Sequence, residues 1–210
     1  MADYRPIDPA LLWKHLDDNR TRDRLADYFT SENYTGGQFE LFAGGGDRPE
    51  VADRFTTEDI VAVSLLGVEI EGDAALNVLE RAQSRLTELL AAVPTDLELA
   101  AAGDDVIGPG SPADQAWHLL AQIPNIFWVK AGKLLARKRP RLIPVYDSVV
   151  QLALDRTPSD EFWRPLRDAL RDEPRLVDRL RELRELAELD GRISVIRVLD
   201  VAIWMSGRDG

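Results

Sequence analysis

The chain contains no cysteine, which excludes disulfide frameworks, thiolate zinc sites, iron–sulfur clusters and cysteine nucleophiles. Histidine is almost as scarce. His15 and His118, 103 positions apart, are the two present, too little for an imidazole metal site. Long apolar runs are missing too. Stretches such as Ile60–Leu66 and Val149–Leu154 fall far short of the ~20 residues a membrane-spanning helix needs. The polar start Met1-Ala2-Asp3-Tyr4-Arg5 does not read as a signal peptide, so the expectation is a soluble cytoplasmic protein with no membrane partner. No acidic cluster has the spacing of metal ligands, no serine sits in a nucleophile elbow, and neither metal nor cofactor is expected. Carboxylate, hydroxyl and amine chemistry remains, or none. At 210 residues the chain can bury roughly 70% of its unfolded surface without staples.

What is abundant is acid. With 37 Asp and Glu against 26 Lys and Arg, the net charge is −11, a balance that argues against nucleic acid as a partner. The average conceals one exception. From Gln115 to Tyr146 there is no acidic residue, while Lys130, Lys133, Arg137, Lys138, Arg139 and Arg141 place +6 in that window and leave −17 on the remainder. Three of the four lysines fall between positions 130 and 138. Charges farther apart than a Debye length of ~8 Å are largely screened, so the acidic remainder does not veto anion binding at this window.

The hydrophobic periodicity is helical almost throughout, and an all-α fold is expected. Pro9–Phe29 reads as one or two helices, Thr56 as an N-cap with Asp59 completing a capping box, and Asp73–Val93 as one amphipathic helix ended by Pro94. Ser111-Pro112-Ala113-Asp114 starts another, running to about Gln122. Trp128–Lys138, Val149–Leu154, Ser159–Arg171, Pro174–Leu189 and Ile193–Met205 follow. The Arg/Glu-rich stretch Arg175–Glu188 reads as a solvated outer helix, whereas Ile193–Trp204, polar only at Ser194, Arg197 and Asp200, reads as central and buried. The Gly103–Gly110 connection suggests a single helical unit over 1–210 with an N-terminal lobe of about 1–103 and a C-terminal lobe of about 111–210. In Tyr34–Glu50, the run Gly44-Gly45-Gly46 is followed by Asp47 rather than by the lysine or serine of a phosphate loop, and reads as a mobile surface loop.

One segment carries more. Ile123-Pro124-Asn125-Ile126-Phe127 reads as a short hairpin between two helices. The second helix would bury Ala131, Leu134 and Leu135 and set Lys130, Lys133 and Arg137, at i, i+3 and i+7, along its other face as a cationic stripe. Pro140 ends this helix, Pro144 stiffens the return, and Asp147 stands where the next one begins.

This order of features resembles the helix-hairpin-helix DNA glycosylase superfamily, with Ala131 and Asp147 at the spacing typical of that motif when counted from Pro124. The match spans about 35 of the 210 residues. Segments Phe55–Val63 and Ala131–Arg141 also resemble an uncharacterised family of high-GC bacteria. Where the superfamily hairpin has two glycines, this chain has Asn125 and Phe127, whose side chains obstruct close approach to a phosphate, so the helix-hairpin-helix is degenerate. The position of the Schiff-base lysine in bifunctional members aligns with Val129, and Lys130 lies one step away, which leaves at most a monofunctional hydrolase.

The resemblance implies that Asp147 would stabilise the cation that develops on a sugar as an N-glycosidic bond breaks, and would activate the water that traps it. Trp128 and Tyr146 would offer aromatic faces to a flipped base, and Lys130, Lys133 and Arg137 would hold phosphates, of nucleic acid or of a nucleoside-like ligand. Structural readings stand beside these. Asp147 is an equally good helix N-cap, Trp128 and Tyr146 are equally good core aromatics, and the basic stripe can pair with acids of the same protein. The Arg197/Asp200 pair reads as structural, although an aspartate buried close to Asp147 would suggest an acid/base couple. The competing function is a non-catalytic interaction module, with a protein partner, that keeps the fold without the chemistry. A metabolic enzyme acting on a small glycoside is the third reading.

Overall fold

A computed structural model describes residues 3–157 and 161–208. Among them are twelve α-helices and no β-strand: α1 (Pro9–Leu16), α2 (Thr21–Thr30), α3 (Thr57–Ser64), α4 (Gly72–Leu76), α5 (Gln83–Ala91), α6 (Asp104–Ile107), α7 (Pro112–Ala121), α8 (Trp128–Lys138), α9 (Ser148–Ala153), α10 (Trp163–Asp172), α11 (Arg175–Leu186) and α12 (Val195–Arg208). None is long and apolar enough to cross a membrane.

Local chemistry sets most of the starts. Asp8 caps α1 through Ala10 N, with Pro9 in the first turn. At α3 the Thr56 N–H donates to Asp59 Oδ2 at 2.9 Å, completing the box from the acid's side. Ser111 Oγ accepts from Asp114 N ahead of α7. The single helix expected over Asp73–Val93 is interrupted: α4 and α5 are joined by a π-turn at Asn77–Arg81, closed by the Ala82 N–H to Asn77 O at 2.8 Å. Asn77 Nδ2 donates to Asp73 O at 2.8 Å beside the Asn77 N–H, which bonds the same oxygen. The extra residue resets the register so that Ala74, Val78, Leu86, Leu89 and Leu90 all reach the core. The Gly103–Gly110 connection contains the short α6, anchored to α10 by an Arg167–Asp104 ion pair. The start of the helix expected over Ser159–Arg171 falls partly on 158–160, outside the described residues.

One apolar cluster runs from Ile7 to Met205 and takes residues from both expected lobes. At its centre lies α12, buried from Ile196 to Ile203 and packed against α1, α2, α9 and α11. By contrast α11 is the outer helix its composition suggested, with Arg179–Glu182 and Arg181–Asp178 pairs on its surface.

The second deeply buried helix is α8, where Ala131 to Lys138 are all shielded from solvent. Its cationic face is therefore not a ridge. It is covered by residues 35–55, which hold only two short 3₁₀ turns, Thr35–Gln38 and Phe42–Gly44. A segment with so little regular structure leaves carbonyl oxygens without partners, and burying them unpaired is costly. Basic side chains at the end of α8 and its C-cap Arg139 supply the donors. Arg137 Nη1 donates to Phe39 O and Glu40 O, at 2.6 and 2.7 Å, Arg137 Nη2 to Phe42 O, and Nε to Asp59 Oδ1 at 3.1 Å. Lys138 Nζ donates to Gly46 O and Val51 O and pairs with Asp59 Oδ2. Arg139 reaches Ala52 O, Leu90 O, Val93 O and the Asp53 carboxylate. The triple glycine is accordingly a packed element rather than a mobile surface loop. Gly44 and Gly45 take positive φ, and a methyl group on Gly46 would sit 2.4 Å from Arg137 O.

Candidate functional site

A cavity of about 220 Å³ opens where α2, α3, α8, α9 and α12 converge. One stripe of α12 lines it, Arg197, Asp200, Val201, Trp204 and Arg208, spaced as successive turns of one helix face. Tyr28 of α2, Tyr34 and Gly36 close one side, the Leu65–Gly67 turn after α3 another, and Lys133, Val145, Asp147 and Val150 complete the wall. The floor at Tyr28, Arg197 and Asp200 is buried, and the rim at Asn33, Thr35, Gly67 and Arg208 is exposed.

Asp147 is the N-cap of α9. Its Oδ1 accepts from Val149 N at 3.0 Å and Val150 N at 3.2 Å, while Oδ2 stands 3.9 Å from Lys133 Nζ. The cap thus uses one oxygen and fixes the orientation of the other, and the side chain keeps 18% of its exposure. Lys133 is buried, donates to Leu66 O at 3.0 Å, and has its pKa lowered by burial against the pull of Asp147. Asp200 Oδ2 accepts from Val145 N at 2.7 Å. Burial raises the pKa of this carboxyl well above its ordinary value, although Arg197 and the Val145 amide oppose the shift, and Glu40 and Asp147 add to it. Arg197 does not bond to Asp200 directly. Its Nη2 donates to Tyr28 Oη at 2.8 Å and Gly36 O at 3.2 Å, its guanidinium lies over the Tyr28 and Phe39 rings, and its buried Nε finds no acceptor. Gly36 is required for this approach, since a methyl there would meet Tyr28 Oη at 2.1 Å.

The residues singled out from the sequence separate into two groups. Asp147 and Lys133 meet in the cavity, with Asp200 beside them. The others do not. Lys130 Nζ is used at 2.8 Å by Asn125 O of the turn between α7 and α8. Arg137, 1% exposed, is saturated by the loop carbonyls and cannot reach a phosphate. Tyr146 stacks on Phe162 with centroids 3.9 Å apart and meets Trp128 at 5.5 Å with the rings tilted by 52°, so these aromatics pack together outside the cavity wall. Their place is taken by Tyr34 and Trp204, which meet edge-to-face at 6.2 Å at the rim. Neither had been selected from the sequence, yet Arg197 and Asp200 mark a polar stripe on an otherwise apolar helix, and Trp204 follows them at i+7 and i+4 on the same face. Among the described residues no group of His, Cys, Asp and Glu could hold a metal ion.

Glu40 backs the cavity behind Arg197. Its Oε1 accepts from Ser194 Oγ at 2.8 Å and Oε2 from Ser194 N at 3.0 Å, tying the loop to the start of α12. Burial pushes its pKa up to about 7, against the opposing pull of Arg197 and of Ser194. A carboxyl raised above its unfolded value binds more protons in the folded state, so stability is greatest below the unfolded pKa and falls as pH rises through the folded one. Asp200 acts in the same direction. Thermal melts should therefore show a midpoint that declines from about pH 5 to about pH 7, and Glu40→Gln should flatten the upper part of that decline. A midpoint that rises across this range would contradict the assignment.

The family model described as "Family of unknown function (DUF6308)" matches residues 21–207. No curated protein and no solved structure matches the chain.

Proposed function

Since the chain belongs to DUF6308, a family of unknown function, its cavity has to carry the functional reading, and we propose that it hydrolyses the N-glycosidic bond of a small nucleoside-like ligand bound there. The observation that carries this reading is the pairing of two carboxyl groups in unlike environments on one cavity: Asp147, oriented by its cap with Oδ2 toward Lys133, and Asp200, buried with its pKa raised by desolvation. Such pairs divide acid and base roles between chemically identical side chains. Asp147 stabilises positive charge developing on the sugar and activates the attacking water, Asp200 supplies a proton toward the leaving base, and the Tyr34 and Trp204 rings receive its flat face.

The turn between α7 and α8, followed by a capping Asp147, supports the kinship with a degenerate helix-hairpin-helix. Asn125 there adopts φ 66°, a conformation that glycine takes most readily, and Phe127 is 69% exposed. The burial of Lys133, Arg137, Lys138 and Arg139 removes the phosphate-binding face that duplex DNA would need, which favours the small-ligand version over the nucleic-acid one. The test is a panel of purine and pyrimidine nucleosides and nucleotides, assayed for free base and reducing sugar, with oligonucleotides as a separate arm. Base release from a small substrate is expected. No turnover and no binding of any panel member would leave a non-catalytic interaction module as the reading.

A further inference from the structure

The cavity carries a charge imbalance that the glycoside reading does not use. Its lining holds three cationic side chains, Lys133, Arg197 and Arg208, against Asp147 and Asp200. Asp200 is buried on the floor with Oδ2 taken by the Val145 amide, so of the two acids Asp147 is the one that faces the open part of the cavity, against three cations. This occurs in a protein of net charge −11. A long polyanion would meet the acidic surface along most of its length, whereas a small anion meets chiefly the field of the cavity.

Of the three cations, Lys133 is held by Leu66 O, and Arg197 by Tyr28 and Gly36 on the floor. Arg208 differs. It sits exposed at the rim, at the last position of α12, its guanidinium 4.6 Å over the Trp204 ring, and it makes no hydrogen bond or ion pair among the described residues. Stacking fixes the plane of the group while its N–H donors stay unspent, a state suited to binding phosphate oxygens in bidentate fashion. The end of α12 is also placed firmly. At Gly207 an added methyl would lie 3.2 Å from Val149 Cγ1 and 3.4 Å from Ala153 Cβ, so the helix runs hard against α9, whose N-cap is Asp147.

We propose that the ligand is a nucleoside monophosphate rather than a free nucleoside, with Arg208 at the mouth reading the phosphate while Asp147 faces the sugar. This deepens the glycoside reading and rests on it. Binding of each common nucleoside and its 5′-monophosphate is measured by calorimetry on the full chain, wild type, Arg208→Gln and Arg208→Lys, at low and physiological salt. At least one monophosphate should bind about 10-fold or more tightly than its nucleoside, Arg208→Gln should abolish that preference with the melting midpoint unchanged, and Arg208→Lys should restore part of it. Equal affinity of both forms, or a preference that survives Arg208→Gln, overturns the inference and leaves the glycoside reading standing. Failure of both forms to bind overturns the two together.

Discussion

Asp59→Ala is expected to destabilise the protein by about 3–5 kcal/mol, because it removes the one carboxylate that faces both Arg137 and Lys138 in a region with no exposure to solvent. For a chain of this size that corresponds to a fall of about 6–20 °C in the melting midpoint. The neighbouring contacts make the prediction sharper. In a simple buried ion pair, deleting the cation together with the acid relieves the penalty. Here Lys138 also serves Gly46 O and Val51 O, so Asp59→Ala combined with Lys138→Met should be no more stable than Asp59→Ala alone. Circular dichroism melts of the three variants decide the matter. An Asp59→Ala midpoint within 2 °C of wild type, or full rescue by the second substitution, would show that these cations do not hold the loop.

Asp147→Asn separates capping from chemistry. Asparagine caps a helix about as well as aspartate, so the two bonds from Val149 and Val150 survive and the melting midpoint should move by no more than a few degrees. On the glycoside reading proposed above the charge meant to face the sugar is lost, and kcat should fall by roughly 10²–10⁴. Asp147→Ala is the control for the cap: it should be equally inactive and in addition lose ~1 kcal/mol of stability. Base release by Asp147→Asn at near the wild-type rate would remove this residue from the reaction.

The sequence was most informative where the controlling physics is local. Thr56 with Asp59, Ser111 with Pro112, and Asp147 all start helices where their side chains indicated, since a cap acts over three or four residues. Apolar content on nearly every side correctly marked α12 as central. The π-turn at Asn77–Arg81 was not legible, because a helical period continues on either side of one inserted residue. Candidate site residues were readable only in part. Asp147 and Lys133 share the cavity, but the burial of Arg137 is a tertiary fact: spacing put it on the face away from Ala131, Leu134 and Leu135, and nothing in α8 tells that residues 35–55 cover that face. A clue lay in two oddities taken separately, an irregular glycine-bearing segment short of side-chain donors and a helix rich in cations with no acid among them. Each needs what the other has.

That mutual dependence bears on how the protein is made. As the chain leaves the ribosome, residues 35–55 emerge about 80 to 100 positions ahead of the guanidinium and ammonium groups that will cover their carbonyls. Until α8 has been synthesised, the early part of the polypeptide can keep those oxygens hydrated but cannot bury them. The N-terminal third is thus committed to wait for the middle of the chain, and a fragment stopping short of Arg137 would lack the means to close its own interior.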